Sequence, residues 1–384
     1  MRVPVVSKEG VPLMPTKPSR VRRWLKEGKA VKKWSDVGVF YVRLTVDPSN
    51  TQTQEVAVGV DPGKHFSGVA VQSAKATLFM AHLILPFETV KKRMEQRRTM
   101  RRTRRSRRIN RNRNVPFKFR NHRSSRFNNR CQNKLPPSIR ANRQLELRVV
   151  RELAAIFPIS TIVWEYVRAD VDRTSGRRKA RSGRGFSPVM VGQRWAIREM
   201  EEIAPVVQLQ GWKTANLRRE LGLVKSGNKD DASPESHAVD GIALASSQFV
   251  RYESFHGTNV RGHRWKGSVC ITPALFRVIR RPPICRRQLH LLQPAKGGTR
   301  RKYGGTVTRH GFRKGDFVRA SRAGRQYLGW VSGDNARQVS VSDINWKRLG
   351  QFSASKVQLL APNTNLLVLG TSNPTRPAFC SSRA

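Results

Sequence analysis

The sequence predicts an α/β protein, in which a mixed sheet is split by a long arginine-rich helix. A small module precedes this sheet, and a mostly β, barrel-like region follows it. Three observations indicate this arrangement. Apolar runs with strand character fill residues 55–85, helix-period segments alternate with short strands over 135–250, and short strands with glycine turns begin near residue 251. At 384 residues the chain is long enough for two or three domains.

Changes in composition divide the chain into six segments. They are an N-terminal module (1–52), the first part of the sheet (53–88), the arginine-rich helix with a basic linker (89–130), the second and third parts of the sheet (131–250), a β-rich C-terminal domain (251–370) and a tail expected to be disordered (371–384).

The N-terminal module is predicted to contain two strands, VPVVS and GVFYVRLTV, around a proline-rich turn (VPLMPTKP) and a helix. We expect Ser19 to cap this helix and Gly28 to follow its last turn. The next two runs, EVAVGVD and FSGVAVQSA, flank a Pro-Gly turn and predict a hairpin. ATLFMAHLIL predicts a third antiparallel strand.

Residues 91–113 form the most biased run of the chain, with Arg or Lys at more than half of the positions and Glu95 as the only acid. Neither Gly nor Pro interrupts the run, so a helix is allowed. The run has almost no apolar stripe, so this helix cannot pack into a core. A disordered basic arm is the alternative.

After a basic, Asn-rich segment, LPPSIRANRQLELRVVRELAAIF predicts an amphipathic helix because Leu145, Val149, Leu153 and Ile156 fall near helical spacing. STIVWEY predicts a buried strand, VGQRWAIREMEEIA a helix, PVVQLQG a strand and KTANLRRELGL a helix. A polar loop then leads to a last helix, HAVDGIALASSQFV. GDFVRAS, QYLGWVSG, RQVSVSDI and SKVQLLAP predict the antiparallel strands of the C-terminal domain.

The charge of the chain indicates its class of partner. With 75 Lys and Arg against 25 Asp and Glu, the formal net charge is +50. Self-repulsion at this charge is large unless a polyanion neutralises it, and nucleic acid supplies ordered phosphates in that number. No apolar run of membrane-spanning length, signal-peptide core or lipidation signal is found, so no membrane partner is expected. The cysteines Cys131, Cys270, Cys285 and Cys380 form no close pair, which favours a reducing cytoplasm.

Three acids occupy similar places in the predicted elements. Asp61 and Glu165 each end a buried strand, and Asp240 lies in an apolar helix three residues after His237. Charged groups rarely lie within apolar runs unless they are paired or bind a metal. Asp61 alone is also compatible with the phosphate-loop acid of an actin-like ATPase, and His237 with a structural role at a helix N-terminus.

The chemistry of phosphodiester hydrolysis explains these residue types. Two divalent ions about 3.5–4 Å apart activate a water and stabilise the leaving oxyanion, and Mg²⁺ prefers carboxylate oxygens. We expect Asp61 to bridge two Mg²⁺ ions, with Glu165 and Asp240 holding them from either side. His237 would bind the second metal or assist proton transfer, and Mn²⁺ is an expected substitute.

The motifs around these acids resemble a known family. GVDPG (59–63), WEYVRAD (164–170) and HAVDG (237–241) resemble the three split motifs of RuvC nucleases, which implies an RNase H-like fold. RRTRR (101–105) resembles the bridge helix of the IscB proteins, and VPLMP (11–15) their N-terminal module. LPPS, RRQLH and QPAKGGTRRKYGG are also similar to IscB sequences.

One departure narrows this resemblance. IscB proteins carry an HNH nuclease domain between the second and third RuvC motifs, but residues 166–236 contain no histidine and no cysteine. The chain therefore resembles the IsrB proteins, the relatives that lack this domain. A single catalytic centre cuts one strand at a time, so the resemblance implies a nickase that acts on the non-target strand.

The resemblance further implies a large non-coding guide RNA (omega RNA) beside a transposon-associated gene, and target double-stranded DNA recognised as an RNA–DNA heteroduplex plus displaced strand. The expected RNA contacts are Arg20, Arg22, Arg23, Arg97, Arg98, Arg101, Arg102, Arg104, Arg105, Arg107, Arg108, Arg286 and Arg287. The expected contacts to a short adjacent DNA motif are Lys314, Arg319, Arg322, Arg325 and Gln326. Any single arginine among them is alternatively a dispensable phosphate neutraliser, and Trp330, near the DNA contacts, is alternatively a core residue.

Two other functions stay open at this point. One is a guide-independent, structure-selective endonuclease of the junction-resolvase type. The other is an RNA-binding protein with a vestigial centre, although Asp61, Glu165, His237 and Asp240 are all present. A prokaryotic cytoplasmic location, with association to the nucleoid on DNA, and one monomer per RNA are expected.

Overall fold

The computed structural model describes residues 1–106, 114–119, 135–167, 187–256, 261–284, 289–291, 301–303 and 305–370. The expected tail (371–384), most of the basic linker, Arg107, Arg108, Arg286 and Arg287 lie outside these ranges, and for Arg101, Arg102, Arg104 and Arg105 only the backbone is described. No helix within the described ranges combines the length and apolar character that crossing a membrane requires.

The described residues form twenty strands. They are β1 (Val3–Val6), β2 (Pro12–Thr16), β3 (Ala30–Trp34), β4 (Phe40–Leu44), β5 (Val56–Asp61), β6 (Phe66–Ser73), β7 (Ala76–Ile84), β8 (Thr161–Tyr166), β9 (Val206–Gln210), β10 (Val250–His256), β11 (Arg261–Gly267), β12 (Leu275–Arg280), β13 (Leu289–Leu291), β14 (Arg301–Tyr303), β15 (Phe317–Arg322), β16 (Arg325–Asp334), β17 (Gln338–Ser342), β18 (Arg348–Ser353), β19 (Val357–Ala361) and β20 (Leu367–Gly370).

Six α-helices accompany these strands within the described ranges. They are α1 (Pro18–Lys26), α2 (Phe87–Ser106), α3 (Pro137–Ala154), α4 (Pro188–Glu201), α5 (Gly211–Glu220) and α6 (Val239–Ser246), and a π-helical turn (Pro234–Ala238) leads directly into α6. Short 3₁₀ turns occur at Phe117–Phe119 and Ala354–Lys356.

The N-terminal module is a four-stranded sheet in the order β2–β1–β4–β3 with α1 packed on it. The stretch expected to be a proline-rich turn is the strand β2, which tolerates proline because it lies at the edge of the sheet. Helix α1 begins at Pro18 after Lys17, so the expected cap at Ser19 is wrong. Gly28 follows the helix with a φ of +69°, as expected for a C-terminal glycine.

A seven-stranded mixed sheet forms the centre of the protein, in the order β20–β12–β7–β6–β5–β8–β9. Strands β5, β6 and β7 are antiparallel neighbours, which confirms the predicted hairpin and third strand. Strands β8 and β9 then add in parallel to β5. The predicted mixed α/β architecture is therefore confirmed, and this arrangement fits an RNase H-like fold.

Helices cover both faces of the central sheet. Leu145, Val149 and Leu153 of α3 pack with α4 on the face that carries the β5 valines, as the predicted amphipathic helix requires. The opposite face is covered by α6, where Val239 and Ile242 pack on residues of β6, β7 and β12. The sheet is thus buried on both sides, which accounts for its nearly continuous apolar strands.

The arginine-rich run begins with a helix and not with a disordered arm. Helix α2 starts at Phe87, contacts α3 and is anchored by Arg93, whose Nη2 donates to the carbonyl oxygen of Pro283 at 2.7 Å. Residues 107–113, the end of the expected helix, lie outside the described residues. Beyond Arg93, the side chains of Arg97 and Arg98 are exposed.

The segment after residue 251 contributes to more than one sheet. Strands β10 and β11 form a hairpin, and β15 to β19 form a five-stranded antiparallel sheet in the order β18–β17–β16–β15–β19. Strands β10 to β14, β18 and β20 were not predicted. Strand β12 pairs in parallel with β7, and β20 pairs with β12. The segment 251–370, drawn from composition as one domain, therefore supplies two strands to the central sheet.

Candidate active site

Two of the four expected site residues lie side by side at the carboxyl ends of two neighbouring strands of the central sheet. Strands β5 and β8 are parallel, and Val60 pairs with Trp164. The residues that follow them, Asp61 and Glu165, are therefore neighbours at the carboxyl ends of the strands. Strand pairing thus places together two acids that are more than 100 residues apart in sequence.

The other two residues come from the π-helical turn and from α6, which pack next to these strand ends. His237 lies in the π-helical turn, with its Nδ1 atom 3.5 Å from Oδ2 of Asp61. Asp240 lies in the first turn of α6 and is buried. The structure therefore brings Asp61, Glu165, His237 and Asp240 to one region of the molecule.

Glycines allow this close approach. A Cβ atom at Gly59 of β5 would collide with the carbonyl oxygen of Gly241, the residue after Asp240. A Cβ atom at Gly68 of β6 would collide with the carbonyl oxygen of His237. Only glycine at these sheet positions lets the backbone that carries His237 and Asp240 lie directly on the strands.

The negative charge of the cluster changes the pKa of Glu165. Burial, followed by the negative charges of Asp61 and Asp240, raises the pKa of Glu165 from 4.5 to about 8. A hydrogen bond with Asp61 acts in the same direction. Carboxylates that repel one another in a buried place are stabilised by a cation.

Two basic side chains supply positive charge at Asp240. The guanidinium of Arg218, from α5, donates to Oδ1 of Asp240, and the ammonium group of Lys225 donates to Oδ2. Neither residue was singled out from the sequence, where both lie among many other cations. Their position shows that the centre combines carboxylates with fixed positive charge.

Several groups of this cluster suit a divalent metal. Both ring nitrogens of His237 are buried and form no hydrogen bond within the described residues, which fits a side chain that can act as a metal ligand. The oxygen-rich set Asp61, Glu165 and Asp240 suits Mg²⁺. No three His, Cys, Asp or Glu side chains of the described ranges converge as metal ligands. Both carboxylate oxygens of Asp240 are held by Arg218 and Lys225.

A buried ion pair supports the loop after Asp61. Arg143 and Glu146 of α3 are joined by two hydrogen bonds of 3.0 and 2.7 Å, and Arg143 also donates to the carbonyl oxygen of Gly63 at 2.7 Å. Burial raises the pKa of Glu146 to about 7, although Arg143 opposes the shift. Sequence reasoning missed this pair, whose only signal was two charges beside the apolar stripe of α3.

A second histidine lies behind His237. His82 of β7 is fully buried, its Nδ1 is 3.0 Å from the hydroxyl of Ser236, and its ring centroid is 5.4 Å from that of His237. Burial, followed by the charge of His237, lowers the pKa of His82 to about 4. His82 is therefore neutral near pH 7 and supports the turn that holds His237.

The expected nucleic-acid contacts lie on separate surfaces. Arg20, Arg22 and Arg23 are exposed on α1. In the C-terminal sheet, Arg319, Arg322, Arg325 and Gln326 are exposed around the β15–β16 turn, and Lys314 is half-buried. Trp330 is buried against Phe317, which assigns it to the core of that region.

Parts of the chain are similar to known proteins. Two solved structures of RuvC from Thermus thermophilus are similar over 50% of this chain and 90% of their own. The complex with a Holliday junction substrate has 13% sequence identity and a TM-score of 0.25, and the second RuvC structure has 11% and 0.24. No curated protein matches the chain. Residues 3–185, a little under half of the chain, match the model of the RRXRR protein family.

Proposed function

We propose that this protein is a metal-dependent DNA endonuclease of the RuvC type. The observation that carries the proposal is the meeting of Asp61, Glu165, His237 and Asp240 at one end of β5 and β8. The match of the N-terminal half to the RRXRR family and the mixed sheet support it. The net charge of +50 supports a nucleic-acid substrate.

Each residue of the cluster has a role in this proposal. Asp61, Glu165 and Asp240 would hold Mg²⁺, with His237 as a further ligand or as a proton carrier. When bound, Mg²⁺ supplies Lewis acidity for phosphodiester hydrolysis. Glu165 must lose its proton to act as a ligand, so its raised pKa makes it sensitive to the local charge. Arg218 and Lys225 place positive charge where the phosphate that is cut can be neutralised.

The finer form of the proposal is an RNA-guided nickase that cuts the non-target strand. Two features support it. Residues 166–236 contain no histidine or cysteine from which an HNH centre could be built. Helix α2 is ordered from Phe87 to Ser106 and presents Arg97 and Arg98 to solvent directly after the first part of the sheet, where a guide RNA would be held.

The experiment begins with the RNA that copurifies with the full-length protein. A plasmid is built with a target matching that RNA and a randomised flanking sequence, and conversion of supercoiled to open-circular DNA is measured with Mg²⁺. We expect RNA-dependent nicking by the wild-type protein and none by Asp61→Ala. The Glu55→Ala variant, a matched acid outside the cluster, should nick normally.

Several outcomes would reject the proposal or part of it. Full nicking by Asp61→Ala would overturn the site. Cleavage of branched DNA without RNA would favour a junction-selective endonuclease, and linear product would overturn the nickase. A discrete bound RNA with no cleavage under any of these conditions would favour an RNA-binding protein.

A further inference from the structure

A partly exposed aromatic cluster lies beside the proposed cleavage centre. Trp212 follows Gly211, the first residue of α5, and a Cβ atom at Gly211 would collide with Oε1 of Glu165. Further along the same helix, Arg218 binds Asp240. Helix α5 therefore runs past two of the acids, and Trp212 directly follows the glycine that contacts Glu165.

The hairpin β10–β11 supplies the other rings. Tyr252 pairs with Trp265 across the two strands, and their ring centroids are 5.0 Å apart. Tyr252 lies 5.7 Å from Trp212 and stacks nearly parallel on His263, at 5.1 Å with an interplanar angle of 11°. The indole nitrogen of Trp265 donates to Oδ1 of Asn216 at 2.9 Å, which fixes the hairpin to α5.

The cluster differs from a small structural core in its exposure and charge. Trp212 is 54% exposed and the side chain of His263 is also exposed, whereas Tyr252 and Trp265 are half-buried. The ammonium nitrogen of Lys213 lies 5.5 Å from the ring centroid of Trp212 and 5.3 Å from that of Tyr252. A cluster that served only to bind the hairpin would bury both of its tryptophans.

The surrounding hairpin is strongly basic. Its exposed cations are Arg251, Arg261, Arg264 and Lys266. The one acid of β10 and β11, Glu253, lies 4.0 Å from Lys266. Aromatic rings set among cations match a single-stranded nucleic acid, whose phosphates and unpaired base faces are both accessible. A duplex keeps its base faces stacked inside.

We propose that Trp212, Tyr252 and Trp265, flanked by Lys213 and His263, form a stacking platform for unpaired bases of the DNA strand that is cut. The proposal rests on the proposed endonuclease function and adds to it the surface that holds the strand to be cut. Stacking of bases beside Glu165 would hold the strand against the acids and exclude a paired duplex from the centre.

The test measures binding without cleavage. Full-length protein carrying Asp61→Ala is kept in EDTA, and the fluorescence anisotropy of a labelled oligo-dT and of a labelled duplex of equal length is followed. We expect Trp212→Leu to weaken oligo-dT binding about 5- to 150-fold, the range of one lost base stack. Duplex affinity should not change, and Trp212→Phe should retain most of the oligo-dT affinity.

The matched control is Trp34→Leu, which removes a tryptophan that is 67% exposed on β3 of the N-terminal module. It should leave oligo-dT binding unchanged. If Trp212→Leu lowers the melting temperature, His263→Ala replaces it, since this exposed ring can be removed without disturbing α5.

Unchanged oligo-dT affinity in these variants, or an equal loss for single strand and duplex, would overturn the platform. A larger loss for oligo-U than for oligo-dT would overturn it in favour of RNA. The binding assay measures no cleavage, so it tests the platform independently of the endonuclease function. The platform proposal can be rejected while the wild-type protein still nicks DNA, and it can be supported even if no nicking is found.

Discussion

At the scale of single residues, the main feature of the centre is the close approach of three acidic and two basic side chains. Glu165 interacts with both Asp61 and Asp240, and its pKa rises to about 8 because burial and both negative charges oppose its ionisation. Arg218 and Lys225 supply positive charge at Asp240. Glu165 is thus the member of the cluster whose protonation reports most directly on any added cation.

This arrangement predicts how metal and pH affect stability. The folded-state pKa of Glu165 lies above the ordinary value of 4.5, so the folded protein binds more protons than the unfolded chain between pH 4.5 and about 8. The metal-free protein should therefore lose stability as pH rises through this window. Mg²⁺ should raise the melting temperature more near the upper end than near the lower end, because it stabilises the ionised carboxylate.

Melting curves in EDTA and in Mg²⁺ across this pH range check the prediction. The Glu165→Gln variant provides the control, since it cannot ionise and should show a flatter fall in EDTA. The same pH slope in Glu165→Gln and wild type would show that Glu165 is not the responsible group.

At the scale of elements, the close contact between α6 and the sheet brings the acids together. Gly59 of β5 meets the backbone of Gly241, and Gly68 of β6 meets that of His237. A Cβ atom at Gly241 would lie 2.9 Å from the backbone nitrogen of Ala70, so the motifs GVDPG and HAVDG each contain a glycine that this close packing requires. The acids alone do not bring the two elements close, because without these glycines the backbones could not approach.

Replacing Gly59 with alanine should separate α6 from β5. The added methyl group collides with backbone atoms that cannot move singly, so we expect a loss of about 1–3 kcal/mol in unfolding free energy, as for other overpacked cores. The nicking rate should fall even under conditions in which the variant stays folded, because Asp240 moves with α6. Urea denaturation and plasmid nicking measure the two effects.

The matched control is Gly333→Ala in β16, where a Cβ atom would meet nothing within 4 Å. It should leave both measurements near wild type. A normal nicking rate in Gly59→Ala would show that the spacing of α6 and β5 does not determine activity.

Elements and site residues differed in how far the sequence predicted them. Strands β5 to β8 and helix α3 were predicted because their apolar spacing is regular. Strand β2 was missed because its prolines are typical of a turn, and only its edge position makes them acceptable. Arg218 and Lys225 were missed because contacts made by long side chains depend on tertiary packing, and in a chain with 75 Lys and Arg no spacing distinguishes two of them.

At the scale of the whole molecule, the central sheet is assembled from distant parts of the chain. Strands β12 and β20 come from beyond residue 251, yet they form one end of this sheet. Composition could not reveal that β12 belongs to the central sheet, because β12 resembles the short strands around it. Its pairing with β7 joins residues that are far apart in the sequence. Ala274, Phe276 and Val278 complete the apolar cluster under α6.

A chain ending at residue 250 should therefore fold poorly. It leaves the edge of β7 unpaired and the cluster under α6 incomplete, so we expect aggregation and loss of a cooperative thermal transition. The control replaces residues 318–360 with a short Gly-Ser linker, since Phe317 pairs with Ala361 and the ends are close. This control keeps β12 and β20 and should retain the transition. A cooperative, soluble fragment 1–250 would contradict the prediction.

The pairing of β7 with β12 also sets an order of events during synthesis. Roughly 190 residues separate the two strands. At about 5–20 residues per second, the ribosome takes on the order of 10–40 s to deliver the partner strand. During that interval the nascent chain carries an open, apolar strand edge, and such long-range pairing is slow in itself. Yield in cells should therefore depend on translation rate and chaperones more than the equilibrium stability of the finished protein suggests.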